Sequence, residues 1–500
     1  MGSSRKGRDR PRGSPIVRMD RLLEEVEVIE VFGDPAATEV TALALDSRRV
    51  EPGALFFCLP GAREDGHAHA DDAVARGAQS LLVERRLALE VTQAVVAPGT
   101  ARAAMAQMAT AFYDHPARSL LTVGVTGTNG KTSVTHLLAS IFEAHRWPTT
   151  VIGTLDGGRT TPESPDLQRM LAHARQASRR AVVMEVSSHA LAQARVDAVL
   201  FDAAVFTNLS HDHLDYHGTV EAYFAAKASL FTPERAALAV INGDDPWGRR
   251  LLERDAVPSV AYSMTEVGEI DSSARQTSFT WRGHRVELAL AGSFHVRNAL
   301  AAAATAAALG VPEDVIVDGL HRAAPVPGRF EVLSTSAPFT VVVDYAHTPD
   351  GLRVALDSAH QLAGDHRVLC VFGCGGGRDH EKRPVMGAAA AQGADLVVIT
   401  SDNPRNEDPG AIIEEILVGV PAPSEGVAGS EVVVRSERAE AIELAIERAR
   451  PGDVVVVAGK GHEHEIEMGS MRVPFDDAQV AAAAVVRRGE RAQPGSDTTA

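Results

Sequence analysis

From about residue 120 the chain repeats one pattern: a short apolar run, a glycine or polar turn, then a helix-forming stretch. SLLTVGVTG leads into HLLASIFEAH, AVVMEVSS into HALAQARV, and AAVFTNLS and ALAVING follow. This alternation leaves little choice of fold, because parallel neighbouring strands need a long crossover, usually a helix. The chain is therefore read as α/β with parallel sheets. After residue 328 the pattern restarts with FTVVVDYAH, RVLCVFGCGG, ADLVVITSDN, EVVVRS and DVVVVAGKG. Two α/β blocks are expected, joined at the Pro/Gly-rich APVPGRF (324–330), with a smaller α/β block over 20–98 before them. Five hundred residues exceed what one core supports. In open parallel sheets ligands bind at the carboxyl ends of the strands, and nearly every polar motif below follows an apolar run.

The net charge of −17 argues against a binder of the nucleic-acid backbone and leaves a single nucleotide open. Cys58, Cys370 and Cys374 form no disulfide framework and fit a reducing cytosol. Cys370 and Cys374 read as packing residues rather than metal ligands. Residues 1–18 are basic and rich in Gly, Ser and Pro, with no apolar segment behind them, so they read as a tail and not a signal peptide. Residues 489–500 read as a second tail, and no apolar run approaches membrane-spanning length.

GVTGTNGKTS (124–133) follows an apolar run and precedes a helical pattern. Gly127 and Gly130 let the backbone of Thr128 and Asn129 wrap a phosphate. Lys131 reaches the outer phosphates, Thr132 offers a hydroxyl to Mg²⁺, and Ser133 continues the helix entry. The longer phosphate-loop spacing would place glycine at Val125, so the tighter G-T-N-G-K-T form stands on its own. AVVMEVSSHAL puts Glu185 at a strand end, where a second Mg²⁺ ligand would be needed; Ser187 or Ser188 could equally be the cap of the next helix. TNLSHDHLDYH offers His211, Asp212, His213, Asp215 and His217. Without a cysteine or HExxH partner, one histidine near Mg²⁺ is a better reading than a zinc cage, the others being solvated or bonded locally. Lys227 in FAAKASLF reads, on its residues alone, as a snorkelling surface lysine. SDNPRNED (401–408) reads as a turn with Asp408–Pro409 starting a helix. Turn chemistry leaves its arginine, Arg405, unexplained.

GTNGKTS, EVSSHALAQARV, TNLSHDHLDYHGTVEAYFAAKASLF, INGDD, VVVDYAHTPDGL, FGCGGGRDHEKRPVMG, SDNPRNEDP and VAGKGHE occur in this order. Over roughly residues 40 to 480 the chain resembles the Mur ligases, and among them the diaminopimelate-adding type. The resemblance implies a three-domain architecture: a UDP-sugar-binding domain (19–98), a central P-loop ATPase-like parallel sheet (99–326) and a C-terminal Rossmann-like amino-acid-binding domain (327–488). It implies a cytoplasmic, ATP- and Mg²⁺-dependent ligase, by default a monomer. Such an enzyme joins meso-diaminopimelate to the D-glutamate of UDP-N-acetylmuramoyl-L-alanyl-D-glutamate through an acyl phosphate. A folylpolyglutamate-type or other Mur ligase, or an inactive ATP-binding homologue, is the alternative.

By the same resemblance the loop residues and Lys131 bind ATP phosphates. Thr132, Glu185, His213 and Lys227 hold Mg²⁺, with Lys227 carbamylated by CO₂. Asn298, Arg329 and Asp344 complete the ATP site; His295 stands where the family has asparagine, which leaves adenine contact through that position unassigned. Ser47, Thr160, Thr161, Ser187, Gln193 and Arg195 match contacts to the UDP-sugar peptide, although Thr160–Thr161 alone reads as a turn and Arg195 as a solvated helix residue. The loop 61–67 supports no assignment. Arg378, Asp402, Asn403, Pro404, Arg405, Gly459 and Glu463 match the amino-acid pocket. Arg405 would meet the far carboxylate of diaminopimelate and Glu463 its far ammonium. Beside lysine, which lacks that carboxylate, Arg405 would stand unpaired and desolvated.

Overall fold

A computed structural model describes residues 15–61, 64–421 and 430–492. Residues 62 and 63 of the unassigned loop, and most of both expected tails, lie outside the described residues. The chain divides into two compact units. One comprises Met1–Gly124, Pro148–Ala204 and Ser229–Leu238; the other comprises Val125–Trp147, Val205–Ala228 and Ala239–Ala500.

In the first unit a five-stranded sheet runs in the order Glu30–Phe32, Thr92–Val95, Ser80–Val83, Ala54–Phe57, Ala42–Ala44. Only Glu30–Phe32 is antiparallel to its neighbour. Strand alternation sends Leu55 and Phe57 into one cluster with helix Ala101–Phe112, and Ala54 and Phe56 into the opposite one with helix Ala70–Ala75. The tail expectation needs correcting at both ends. Val17–Arg18 pairs with Glu39–Val40, and the last helix, Asp477–Ala492, runs past 489. Burial explains both: Met19 and Leu22 are fully buried directly after the first strand, and Ala481, Ala484 and Val485 anchor the helix.

A six-stranded sheet takes its strands in the order Ser259–Tyr262, Ala239–Asn242, Ala203–Phe206, Leu121–Thr126, Ala181–Glu185, Thr149–Ile152. In the second unit, helix Phe294–Ala308 packs along helix Lys131–Ala144. At its N-terminal end stands a three-stranded antiparallel sheet, Val267–Ser272, Thr277–Trp281 and His284–Leu288. The alternation of parallel units gives no hint of this insertion. Its tight turn does carry a local signal, since Arg282 and Gly283 both adopt positive φ, as a type I′ hairpin requires.

The C-terminal sheet runs Glu331–Val332, Thr340–Asp344, Val454–Ala458, Val368–Phe372, Leu396–Ile399, Glu431–Val434. It is parallel except at its first pair. Both faces are covered: Val342, Cys370, Val397 and Val456 pack in one cluster, and Val341, Leu369, Val398 and Val457 in the other. Cys370 and Cys374 are buried and free, as packing residues should be.

Behind this sheet Arg438 and Asp477, both fully buried, form a two-pronged pair at 2.7 Å. Arg438 also donates to the carbonyls of Ser401 (3.3 Å) and Ala458 (2.9 Å), fixing two strand ends to helix Arg438–Arg448 and the last helix. Arg438→Met leaves Asp477 buried without its counter-charge and should cost about 3–5 kcal/mol. Replacing both residues (Arg438→Met with Asp477→Leu) should recover most of that loss in urea unfolding; a double variant as unstable as the single one would refute the account.

Candidate active site

In the second unit the loop after Leu121–Thr126 opens helix Lys131–Ala144. Gly130 lies at φ 87°, and a Cβ there would come within 2.6 Å of Asn298 Oδ1, so the loop passes close under that amide. Asn129 N donates to Asn208 Oδ1 at 2.9 Å. Lys131 Nζ donates to the carbonyls of Gly127 (2.9 Å) and Thr128 (2.8 Å). Lys227 Nζ reaches the same Gly127 carbonyl at 2.8 Å. Lys227 is 1% exposed, which corrects its reading as a surface lysine. Burial, and then the neighbouring Lys131 ammonium, push its pKa well below the ordinary lysine value.

Arg329 Nη2 donates to Thr132 Oγ1 at 3.0 Å, and its guanidinium stacks 4.3 Å above the Tyr345 ring. Asp344 ends its strand and accepts from the amides of Phe330 (2.6 Å) and Ala346 (2.8 Å). Burial raises its carboxyl to about 6 despite Arg329. Ser133 is buried in the first turn of the helix. His295 is fully buried against Phe294, with no well-formed hydrogen bond at either ring nitrogen. Burial lowers it to about 4.

His213 sits at φ 56°, its amide 2.9 Å and its Nε2 3.3 Å from the Asp212 carboxylate. Burial works against ionisation of Asp212. The charges of His213, His347, Lys382 and Lys131 outweigh it and hold the group at about 2. His211 is partly solvated, as one of the two alternatives had it, and its Nε2 also lies 3.0 Å from Asp379, far away in the sequence.

In the first unit Glu185 is buried at its strand end, and Oε1 accepts from Thr154 N (2.9 Å) and Oγ1 (3.1 Å). Thr154 Oγ1 also lies 3.2 Å from the Thr160 hydroxyl, which can donate to it. Thr161 Oγ1 donates to the Glu185 carbonyl (2.9 Å) and accepts from Ser187 N (3.0 Å). Ser187 caps helix Ser188–Ala192 through Ala190 N. The cap reading holds through Ser187, and Glu185 does stand buried at the strand end. Arg195 is 8% exposed, not solvated. It donates to Thr161 O (2.9 Å) and Gln193 Oε1 (2.7 Å) and pairs with Glu163 at 3.0 Å. Ser47 stands apart from this cluster, beside Asp72.

The remaining predicted residues gather at the carboxyl ends of the C-terminal sheet. Asp402, Asn403 and Pro404 are buried, and Arg378 is exposed on the loop opposite. Gly459 leaves room for Asp402, whose Oδ2 would lie 2.6 Å from any Cβ there. Asn403 Nδ2 donates to Glu463 Oε2 at 2.8 Å. Arg405 donates through Nε to Glu467 Oε2 (2.9 Å) and through Nη1 to Gly376 O (2.7 Å). The expectation that Arg405 stands without a counter-charge beside lysine is thus overturned by Glu467. Asp408 and Pro409 do start helix Pro409–Leu417, with Asp408 accepting from Ala411 N.

Two residues that the motifs did not flag hold this cluster together. Lys460, fully buried, donates to Asn403 Oδ1 (3.1 Å), Glu463 Oε2 (3.0 Å) and Glu465 O (2.6 Å). Arg383, also fully buried, spans Glu407, Glu415 and the Gly375 carbonyl. The Arg383 guanidinium holds Glu407 at about 2. A lysine inside a glycine turn and an arginine inside a helix carry no signal until the fold surrounds them.

The chain matches the model of the Mur ligase middle domain over 125–306, of the Mur ligase glutamate ligase domain over 328–461, and of the Mur ligase family catalytic domain over 39–121. It is 41% identical to the UDP-N-acetylmuramoyl-L-alanyl-D-glutamate–2,6-diaminopimelate ligase of Syntrophomonas wolfei, covering 92% of this chain and 98% of that one. The chain belongs to the Mur ligase family. Its likeness to the Streptomyces coelicolor ligase of the same name is 42%, over 93% of this chain and 96% of that one. A solved Mur ligase structure with that title superposes with a TM-score of 0.65 at 32% identity, covering 95% of this chain and 100% of that one. A MurF structure from Acinetobacter baumannii shares the fold, with a TM-score of 0.67 at 22% identity, covering 95% and 98%. Among the described residues no helix is long and apolar enough to cross a membrane.

Within this Mur ligase His295 gives a pH test. A histidine that stays neutral when folded loses stability as pH falls, because the unfolded chain takes up its proton first. Between the ordinary histidine value and about 4, the wild type should lose roughly 3 kcal/mol more than His295→Asn. Urea midpoints across that window measure it, and parallel pH profiles would sink the assignment.

Proposed function

We propose that this Mur ligase uses ATP to join meso-diaminopimelate to the D-glutamate of UDP-N-acetylmuramoyl-L-alanyl-D-glutamate, as a cytoplasmic monomer in peptidoglycan precursor synthesis. The observation that carries the reading is Arg405, held at a strand end within 3 Å of two acceptors and linked through Glu467 to the Asn403–Glu463 pair. A guanidinium fixed in this way offers its remaining donors to a planar carboxylate, the group that distinguishes diaminopimelate from lysine. We assign Arg378, Asp402, Asn403, Pro404, Gly459 and Glu463 to the same amino acid. Ser47, Thr160, Thr161, Ser187, Gln193 and Arg195 are assigned to the UDP-sugar peptide.

A carboxylate oxygen of the substrate's D-glutamate attacks the γ-phosphorus of ATP, the bond to the bridging oxygen breaks, and ADP leaves. The amine of diaminopimelate, having lost its proton, attacks the acyl carbon, and phosphate departs as the amide forms. Both partners of the first step are anionic, so the Lys131 ammonium and the amides of 127–133 lower its barrier by neutralising phosphate charge. Arg329, resting on Thr132, adds a second cation beside the loop, and Asn298 and Asp344 border the same nucleotide.

Mg²⁺ suits the donors proposed for it: the Thr132 hydroxyl, the Glu185 carboxylate, the His213 imidazole and a carbamate on Lys227 are oxygen and nitrogen groups. The cysteines are buried in packing positions, their thiols pushed up to about 12 by burial, and supply no softer competitor. When bound, the ion would supply charge neutralisation and polarise the transferring phosphoryl group. Lys227 suits carbamylation because only a neutral amine adds to CO₂, and burial, with the Lys131 charge, lowers its pKa and so favours that form. Lys227→Arg, a fixed cation, should abolish turnover. A carbamate carbon signal should appear when the wild type is supplied with ¹³C-bicarbonate. Full activity in the variant would refute the carbamate.

The direct test is phosphate release with ATP and the UDP-dipeptide. Release should require meso-diaminopimelate and be far weaker with L-lysine. Arg405→Ala should raise KM for diaminopimelate roughly a hundredfold, the loss of a charge-assisted bidentate contact, and leave KM for ATP within about twofold. Release independent of any amine would sink the ligase reading, and equal turnover of lysine would sink the specificity.

A further inference from the structure

Resting on that reading of the amino-acid pocket, we propose that Glu467 is a positioning residue that sets the orientation of Arg405 for the far carboxylate of diaminopimelate. Glu467 lies beyond the stretch 328–461 matched by the glutamate ligase domain model, on the hairpin Glu465–Met468/Met471–Pro474. Arg405 needs support in two respects. Its backbone is left-handed at φ 53°, a conformation that a residue with a long side chain adopts only when its surroundings impose it. The hairpin imposes it: Arg405 N donates to Glu467 O at 2.9 Å, Gly469 N donates to Arg405 O at 2.6 Å, and Arg405 and Met468 form a parallel bridge.

The side chain is fixed at two points. Glu467 Oε2 takes Nε at 2.9 Å, and Gly376 O takes Nη1 at 2.7 Å. Two acceptors on different nitrogens set the plane of the guanidinium and leave the Nη2 hydrogens for a ligand. Gly376 O is a backbone acceptor next to Gly375, whose carbonyl Arg383 holds at 3.2 Å, and Glu467 is the only side chain among the described residues bonded to this guanidinium. The same residue ties the other end of the pocket, because Glu467 N donates to Asn403 Oδ1 at 2.9 Å. Asn403 is in turn bonded to Lys460 and Glu463. Glu467 therefore sets the position of Arg405 relative to Glu463, the spacing that a diamino acid with a far carboxylate must match.

Alternatively, Glu467 could stand in for the substrate carboxylate and compete with it. The geometry favours positioning, since Glu467 contacts the Nε side and not the Nη2 hydrogens. Glu467 is partly exposed, with Met468, Met471 and Val473 exposed beside it, so substitution should spare the core.

The test compares Glu467→Ala, Glu467→Gln, Arg405→Ala and the double variant by steady-state phosphate release. Glu467→Ala should raise KM for meso-diaminopimelate about tenfold, the scale of one lost charge-assisted bond, with kcat and KM for ATP within about twofold. Glu467→Gln keeps an acceptor at the same reach and should restore most of the affinity. Arg405→Ala combined with Glu467→Ala should be no worse than Arg405→Ala alone, because the second change has nothing left to orient. An unchanged or lower KM in Glu467→Ala, no rescue by Gln, or additive losses would each overturn the proposal. A wild type that turns over meso-diaminopimelate while these outcomes fail leaves the ligase reading standing; a wild type that does not turn it over removes that reading itself.

Discussion

Parallel strands all finish at one edge, and nearly everything this chain offers chemically follows from that constraint. Four parallel strands of the C-terminal sheet deliver polar groups to the same rim: Asp344 at the end of Thr340–Asp344, Gly375–Arg378 after Val368–Phe372, Asp402–Arg405 after Leu396–Ile399, and Gly459–Glu463 after Val454–Ala458. Residues up to about 120 positions apart become neighbours without any long-range motif, and helices on both faces keep the apolar strands dry.

Assembling so many polar groups at one rim has an electrostatic cost, and the molecule meets it by compensating charge behind each loop. Arg438 and Asp477 tie two strand ends from below. Arg383 reaches Glu407 and Glu415 between the 375–378 and 402–408 loops, and Lys460 holds Glu463 and Asn403. None of these buried cations stands alone, which is what makes burial tolerable. Lys227 meets the same cost differently: next to Lys131 and with a backbone carbonyl as its partner, its pKa is driven well below the ordinary lysine value.

The motifs were legible because each carries a local physical reason. Glycine at 130 is needed where Asn298 approaches, Ser187 and Asp408 cap helices, and the apolar runs mark buried strands. The supporting residues were not. Glu163 beside Arg195, Lys460 inside GKGHE, Arg383 in a helix and Glu467 on a hairpin look like ordinary charged positions, since what gives them a role is a partner far away in the chain. The same blindness explains the errors: from their own segments Lys227 reads as a surface lysine, Arg195 as solvated, and the residues at 17–18 and 489–492 as tail.

The sequence by itself determined the α/β layering, the phosphate loop and the presence of an arginine after the Leu396–Ile399 strand, because these depend on neighbours within a few positions. Only the tertiary structure decided which charges are buried, which of them are paired, and that Arg405 is held by Glu467 rather than left without a counter-charge. Desolvation and ion pairing depend on distance in space, and only the folded chain sets those distances.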